Sequence, residues 1–314
     1  LLKIGCMAKK ATTTKENPVE EKSIGITPEM EELKKQVENL KSVNEELTES
    51  IKEWKEKYEE LLAEEPEFTP EPYLVVIPFK AVEAQGNELM LAIRGWMKHF
   101  KEQFRIVIVG DVEDLELPDL EGGCLEVMVI PHECKTENPP LDIVSKLLSV
   151  VEECPEVENI ILTNDDIYPV NDFDVTEVKM LKADGLLTSN KKCGELYALN
   201  RGKTLKMLQE KKLPMFDYGS HLPMFFEVEK LLDVIEKYDL KKEAMLLSSL
   251  YFNTVFPGRI PMMLDMSRDH LKVIVGRKNA NLRLLREYIP KKVFVNNTVS
   301  GWSEDLEKII SEFV

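Results

Sequence analysis

The chain has 314 residues, 43% of them hydrophobic, and a formal net charge of −16. That length accommodates one large domain with an appendage, and the composition supports a sizeable core. The acidic balance argues against general nucleic-acid binding, and no apolar run reaches the roughly 18 residues of a membrane span.

The five cysteines, Cys6, Cys124, Cys134, Cys154 and Cys193, are odd in number and irregularly spaced. They fit neither a zinc site nor a disulfide framework, and they read as thiols of a cytoplasmic protein. The first residues lack an apolar core followed by a cleavage site, so a secretory signal is not expected in them. Met7-Ala8-Lys9-Lys10 reads as a natural start, so residues 1–6 are expected to be an extension.

The Lys-, Thr- and Glu-rich residues 1–26 are expected to form a disordered tail. Thr27-Pro28-Glu29 is a helix-start signal. A heptad pattern follows over 27–63. Met30, Val37, Asn44, Ile51 and Tyr58 occupy one seam position, and Leu33, Leu40, Leu47, Trp54 and Leu61 the other. Steps of three and four over five heptads predict a coiled coil, so a homo-oligomer through residues 30–61 is expected. Asn44 in the seam fits a parallel dimer. A helix folded back on the rest of the chain is the alternative. Glu64 to Pro72 reads as a stiff, proline-punctuated linker, and a globular domain is expected over 73–314.

That domain alternates strand and helix signals. Strands are predicted at 73–79, 105–111, 125–131 and 159–163, with helices at 87–100 and 141–154. Further helices are predicted at 176–183, 203–211, 225–238, 242–252 and 303–313, and further strands at 271–275 and 292–296. The alternation predicts an α/β fold with a mainly parallel sheet and helices on both faces.

The apolar run Ile160-Ile161-Leu162 passes through Thr163-Asn164 into two adjacent acids, Asp165 and Asp166. A strand buried on both faces delivers its carboxyl end to the crevice where open α/β sheets bind ligands. Paired carboxylates beside a core call for a compensating charge, and a divalent cation (Mn²⁺ or Mg²⁺) carrying a phosphorylated ligand supplies one. An N-cap plus a solvated acid is the plainer reading. Pro78-Phe79-Lys80 ends the first strand, where nucleotide-binding folds hold base and ribose. No P-loop and no dinucleotide glycine fingerprint is present, so metal and side chains must neutralise any phosphate. Asp111 ends the second strand and His132 follows the third, and both are expected at the same rim, although simple turn chemistry accounts for Asp111 equally well. His99 reads as a surface residue and His270 as a turn residue. His221 sits in a Gly/Pro-bounded loop before a helix, and on its own fits a structural role as well as a catalytic one. Glu88 and Arg94, read alone, are solvated helix charges.

In this order the pieces resemble the Stealth family of sugar-phosphate transferases, the capsular polysaccharide phosphotransferase-like proteins. Asn87-Glu88-Leu89 with Leu91 and Arg94, then Val109-Gly110-Asp111, is similar to the second family block. Asn164-Asp165-Asp166 resembles its Asn-Asp-Asp element, Ser220-His221-Leu222-Pro223 the third block, and Lys292 to Asn297 the fourth. The likeness spans 73–314 in four short patches. It implies a GT-A-like fold and transfer of a sugar or sugar-phosphate from a nucleotide-sugar donor to a glycan-type hydroxyl acceptor. Asp165 and Asp166 would hold the cation, and His221, Asp166 and Arg94 would carry the chemistry. Pro78, Phe79, Lys80, Glu88, Asp111, His132 and Asn164 would bind the donor. The chain departs from the family at Ile77-Pro78-Phe79-Lys80, where a Tyr-Thr-Trp-Val-Asp-Gly-like element is usual, and at Asn296-Asn297, where Asn-Asp is usual. Transfer of the sugar alone therefore stays open beside sugar-phosphate transfer. The alternative from another class is a coiled-coil scaffold carrying a degenerate transferase domain.

Overall fold

The computed structural model describes residues 27–64, 71–113, 115–133, 135–188, 194–273 and 282–314. The expected tail, most of the linker, and Cys6, Cys134 and Cys193 lie outside them. The chain divides into two compact units at Thr69/Pro70. In the first, α1 (Pro28–Glu64) is one unbroken helix. Its seam side chains Leu33, Leu40, Leu47 and Trp54 are exposed, as are Met30, Val37 and Ile51. No helix among the described residues is long and apolar enough to cross a membrane.

The second unit runs β1 (Tyr73–Phe79), α2 (Glu88–His99), β2 (Phe104–Gly110), β3 (Cys124–Pro131), α3 (Pro139–Glu153), β4 (Asn159–Leu162) and β5 (Ile167–Pro169). It continues with α4 (Val175–Lys179), β6 (Lys182–Ala183), α5 (Glu195–Glu210), β7 (Met224–Glu227), α6 (Val228–Lys237) and α7 (Leu247–Val255). Last come β8 (Met262–Met263), β9 (His270–Val273), α8 (Leu282–Tyr288), β10 (Phe294–Asn297) and α9 (Glu304–Ile310). The main sheet has the order β3-β2-β1-β4-β7, with β7 antiparallel to β4 and the other pairings parallel. A smaller sheet, β5-β10-β9, and the pair β6-β8 accompany it. The fold is thus mixed α/β, with a mostly parallel five-stranded sheet flanked by helices.

Alternate residues of β1 feed opposite cores, as strand geometry requires. Leu74 and Val76 pack with Val144 and Leu147 of α3 and Leu231 of α6. Val75 and Ile77 pack with Leu89, Ile93 and Trp96 of α2. β2 and β3 run to one side of β1 and β4 lies on the other. The strand order reverses there, so a ligand crevice is expected at the carboxyl ends of β1 and β4. Gly95 lets α2 lie close over β5, since a Cβ there would stand 2.6 Å from the Pro169 carbonyl oxygen. That contact fixes the strand that follows the paired acids.

Several elements differ from their predicted form. Residues 225–227 belong to β7, where Phe226 faces the core and Phe225 pairs with Ile161 across β4. The helix predicted over 176–183 stops at Lys179, because Lys182–Ala183 pairs with β8. Helix α5 starts at Glu195, well before 203, and α7 starts at Leu247, after a turn through Asp239 at φ 47°. β9 is described only to Val273, so residues 274 and 275 of the predicted strand lie outside the described residues.

Candidate active site at the carboxyl edge of the sheet

After β4 the Thr163 amide still donates to the Val76 carbonyl of β1 (3.0 Å), and the chain then turns through Asn164, Asp165 and Asp166. The Ile167 amide closes the turn on the Asn164 carbonyl at 3.3 Å. Asp165 and Asp166 line a pocket of about 230 Å³ with Pro78, Lys80, Glu88, Asp142, Lys146, Asn164 and Asn297. The pocket lies where the strand order reverses.

Its walls are held from behind. Glu88, the first residue of α2, accepts from the Gln85 amide at 2.8 Å and from Asn297 Nδ2 at 2.5 Å. Asn297 Oδ1 in turn accepts from the buried Tyr168 hydroxyl at 2.6 Å. This chain of bonds ties α2, β10 and β5 together behind the acids. On the other side Lys146 is 1% exposed. Its Nζ donates to the Phe79 carbonyl (2.9 Å) and pairs with Asp142 Oδ2 at 2.8 Å, one turn away on α3. The same carbonyl explains Gly110, which has φ 142°: a Cβ there would lie 1.9 Å from the Phe79 oxygen.

Negative charge dominates. Asp165 is pushed up to about 7, first by burial and then by Asp166 and Glu88, with Lys146 opposing. Asp166 is pushed up to about 6 by burial and Glu88, against Lys272 and a hydrogen bond from Asn164. Burial also raises Glu88, partly offset by Asn297 and the Gln85 amide. Tyr168 is held far above its ordinary value by burial and by all three carboxylates, so its hydroxyl stays protonated and donates. Asp166 Oδ1 and Asp142 Oδ1 are buried without a hydrogen-bond partner. Orphaned carboxylate oxygens in a native site call for an explanation.

A hard divalent cation fits this donor set. Glu88 is engaged through both oxygens, so the carboxylates left to a cation would be Asp165 and Asp166. No group of three or more His, Cys, Asp or Glu side chains converges on a metal-sized site among the described residues. Two carboxylates completed by ligand phosphate oxygens and water is the mode in which Mg²⁺ is usually bound.

The residues expected from the sequence fall into three groups. Pro78, Lys80, Glu88, Asn164, Asp165 and Asp166 share the pocket. His221 lies beside it, at φ 50°, with Lys272 Nζ 2.8 Å from its Nε2. It lines a second cavity that has Pro139, Ile143 and Asn164 in common with the first. The remaining four do not reach the acids. The Phe79 side chain is 8% exposed and packs in the core under α2, because the strand's alternation turns it away from the pocket. Asp111 accepts from the Ala81 amide at 3.0 Å and steadies the loop after β1. His132 is held through both ring nitrogens by Ser149 (2.9 Å) and Ser145 (3.0 Å) of α3. Arg94 is exposed on α2, in a separate depression beside Glu116 and Glu307. The structure therefore does not bring Phe79, Asp111, His132 or Arg94, expected as donor-binding and catalytic residues, into the pocket of the paired acids. Glu88, by contrast, is buried rather than the solvated helix charge it resembles when read alone.

Two histidines outside the site also differ from expectation. His99 is buried between Asp172 (3.0 Å) and the Phe313 carbonyl (2.7 Å), and His270 is buried on β9. Lys146, Asp142, Tyr168 and Lys272 are site residues that the sequence reading passed over. The Asp142/Lys146 spacing of four on an amphipathic helix was the one available signal for the first two. Neither protein-family models nor curated protein sequences give a match to the chain.

Proposed function

We propose that the chain is a cation-dependent transferase that moves a sugar or sugar-phosphate from a nucleotide-sugar donor to a hydroxyl acceptor, on a GT-A-like fold. One observation carries this reading. Two adjacent aspartates, one with an orphaned oxygen, face a pocket at the point where the strand order reverses, beside Lys80 and Lys146. Asp165 and Asp166 would hold the cation, which would act as a Lewis acid toward the leaving phosphate. Lys80 lines the same pocket, where it pairs with Glu83 at 2.6 Å, and would exchange that partner for the donor phosphates. Lys146, held by Phe79 and Asp142, keeps a fixed positive field under the acids. His221 is the candidate base for the acceptor hydroxyl; its Nε2 stands 2.8 Å from Lys272 Nζ, so Lys272 would have to turn away before that nitrogen could take the proton.

The released nucleotide separates the two chemistries. With Mn²⁺, a panel of nucleotide sugars and a hydroxyl acceptor, nucleoside diphosphate release marks sugar transfer. Nucleoside monophosphate release marks sugar-phosphate transfer. Release of neither from any donor overturns the reading in favour of a scaffold.

The exposed α1 seam supports a parallel homodimer through residues 30–61, since an apolar stripe of this length is stabilised by a second helix. Sedimentation of the full chain is expected to give a dimer, and Leu40→Glu with Leu47→Glu a monomer. A monomeric parent chain, or a variant that stays dimeric, contradicts the pairing.

A further inference from the structure

Beside the acidic pocket lies a larger cavity of about 500 Å³. Its walls are largely aliphatic: Ile143, Leu162, Ile167, Leu196, Leu246 and Leu247 all contribute. The cavity shares Pro139, Ile143 and Asn164 with the acidic pocket, so the two adjoin. Small-molecule sites have this form, mostly apolar with a few placed polar groups.

Two polar side chains in its wall are left unfinished. Thr163 is 2% exposed and Asn200 is 1% exposed. Thr163 Oγ1 and Asn200 Oδ1 are buried without a hydrogen-bond partner, although Asn200 Nδ2 donates to Asn138 Oδ1 at 2.8 Å. A buried oxygen without a partner is costly; both oxygens are closed off from the cavity as it stands, so a ligand hydroxyl would relieve one only after a small shift of the wall. His221 stands at the same wall. The site therefore combines a hydrocarbon-lined chamber with a candidate base, His221, in its wall, next to the acids.

We infer that this cavity binds the acceptor, and that the acceptor is amphipathic: a hydroxyl-bearing head joined to an alkyl chain, with the chain among the leucines and isoleucines. The inference rests on the transferase reading for the word acceptor. The alkyl site itself rests on the cavity alone. A bare polysaccharide chain would leave the aliphatic wall uncovered.

The test is calorimetric titration of the full chain with butyl, hexyl and octyl β-D-glucoside below their micelle concentrations, without cation or nucleotide. Burial of each methylene is expected to tighten binding roughly fourfold, so octyl should bind about tenfold or more tighter than hexyl. Leu196 is 42% exposed, so its replacement is compatible with folding. Leu196→Asp should weaken octyl glucoside about tenfold, and Leu196→Met should leave it near the parent value. Equal affinities along the series, or no binding of octyl glucoside, overturns the alkyl site. A parallel titration with Mn²⁺ and UDP separates the two readings. Chain-length-dependent binding without UDP or Mn²⁺ binding leaves the alkyl site standing and removes the transferase. The reverse result leaves the transferase standing and removes the alkyl site.

Discussion

Replacing Asp165 and Asp166 together by asparagine is expected to cut turnover by about 10³-fold or more, the scale of losing a main electrostatic contributor, and at the same time to stabilise the cation-free protein at pH 8. Both effects have one cause. The native state raises Asp165 to about 7 and Asp166 to about 6, through burial and the crowding of Glu88 against both. A carboxyl whose folded value lies above its unfolded value lends stability that is complete below the unfolded value, about 4. That stability is lost as the pH rises through about 6 and 7. The cation-free parent is therefore expected to melt lower at pH 8 than at pH 5, by a difference on the order of 10 °C for a free-energy change of roughly 4 kcal/mol. In the asparagine pair the groups no longer titrate and the dependence flattens. Cation binding requires the ionised acids, so it should strengthen over the same window. Thermal melts at both pH values, with and without Mn²⁺, read all of this. A parent whose melting point is flat from pH 5 to 8 would show that the acids are not crowded.

The second large effect lies away from the pocket. Lys182 is buried between Glu177 and Asp269, with Asp269 Oδ1 2.8 Å away. Arg268, half exposed, pairs with the same two acids at 2.7 and 3.1 Å. Lys182→Met leaves two buried carboxylates to one partly solvated guanidinium. Removing one partner of a buried ionic group costs about 3–5 kcal/mol. Denaturant unfolding should report a loss of that size. Asp269 sits directly before β9, so the same change loosens the strand that brings Lys272 to His221. Changing Glu177 and Asp269 to Gln and Asn alongside Lys182→Met should recover much of the loss, because no unpaired charge then remains buried. A loss under about 1 kcal/mol in the single variant would show that the ions are solvated after all.

How much of this was legible depends on range. Strands β1 to β4 announced themselves because each is a short apolar run bounded by turn residues, and the helices between β1 and β2 and between β3 and β4 pointed to parallel crossovers. The acids after β4 were legible for the same reason: a buried strand has to deliver its next residues to the sheet edge. β7 was not, because Met224–Glu227 runs straight into α6 and the apolar spacing of the helix continues back across the junction. The site was half legible. Glu88 looks like an ordinary helix charge until Asn297, over two hundred residues later, is seen to hold it. Lys146 looks like half of a surface pair with Asp142 until the Phe79 carbonyl closes over it. His132 and Asp111 sit at the expected strand ends, yet their own hydrogen bonds consume them. Strand-end position names the rim, but long-range contacts decide which rim residues face the pocket.

The most direct test is equilibrium binding of Mn²⁺ to the full chain at pH 8, followed by paramagnetic resonance, with and without UDP. One manganese ion per chain is expected, bound more tightly when UDP is present because its phosphate oxygens complete the coordination. Asp165→Asn with Asp166→Asn should abolish the site in a chain that still folds. If the parent binds no manganese even with UDP, or the asparagine variant binds it equally well, the paired aspartates are not a cation site and the transferase reading falls with them.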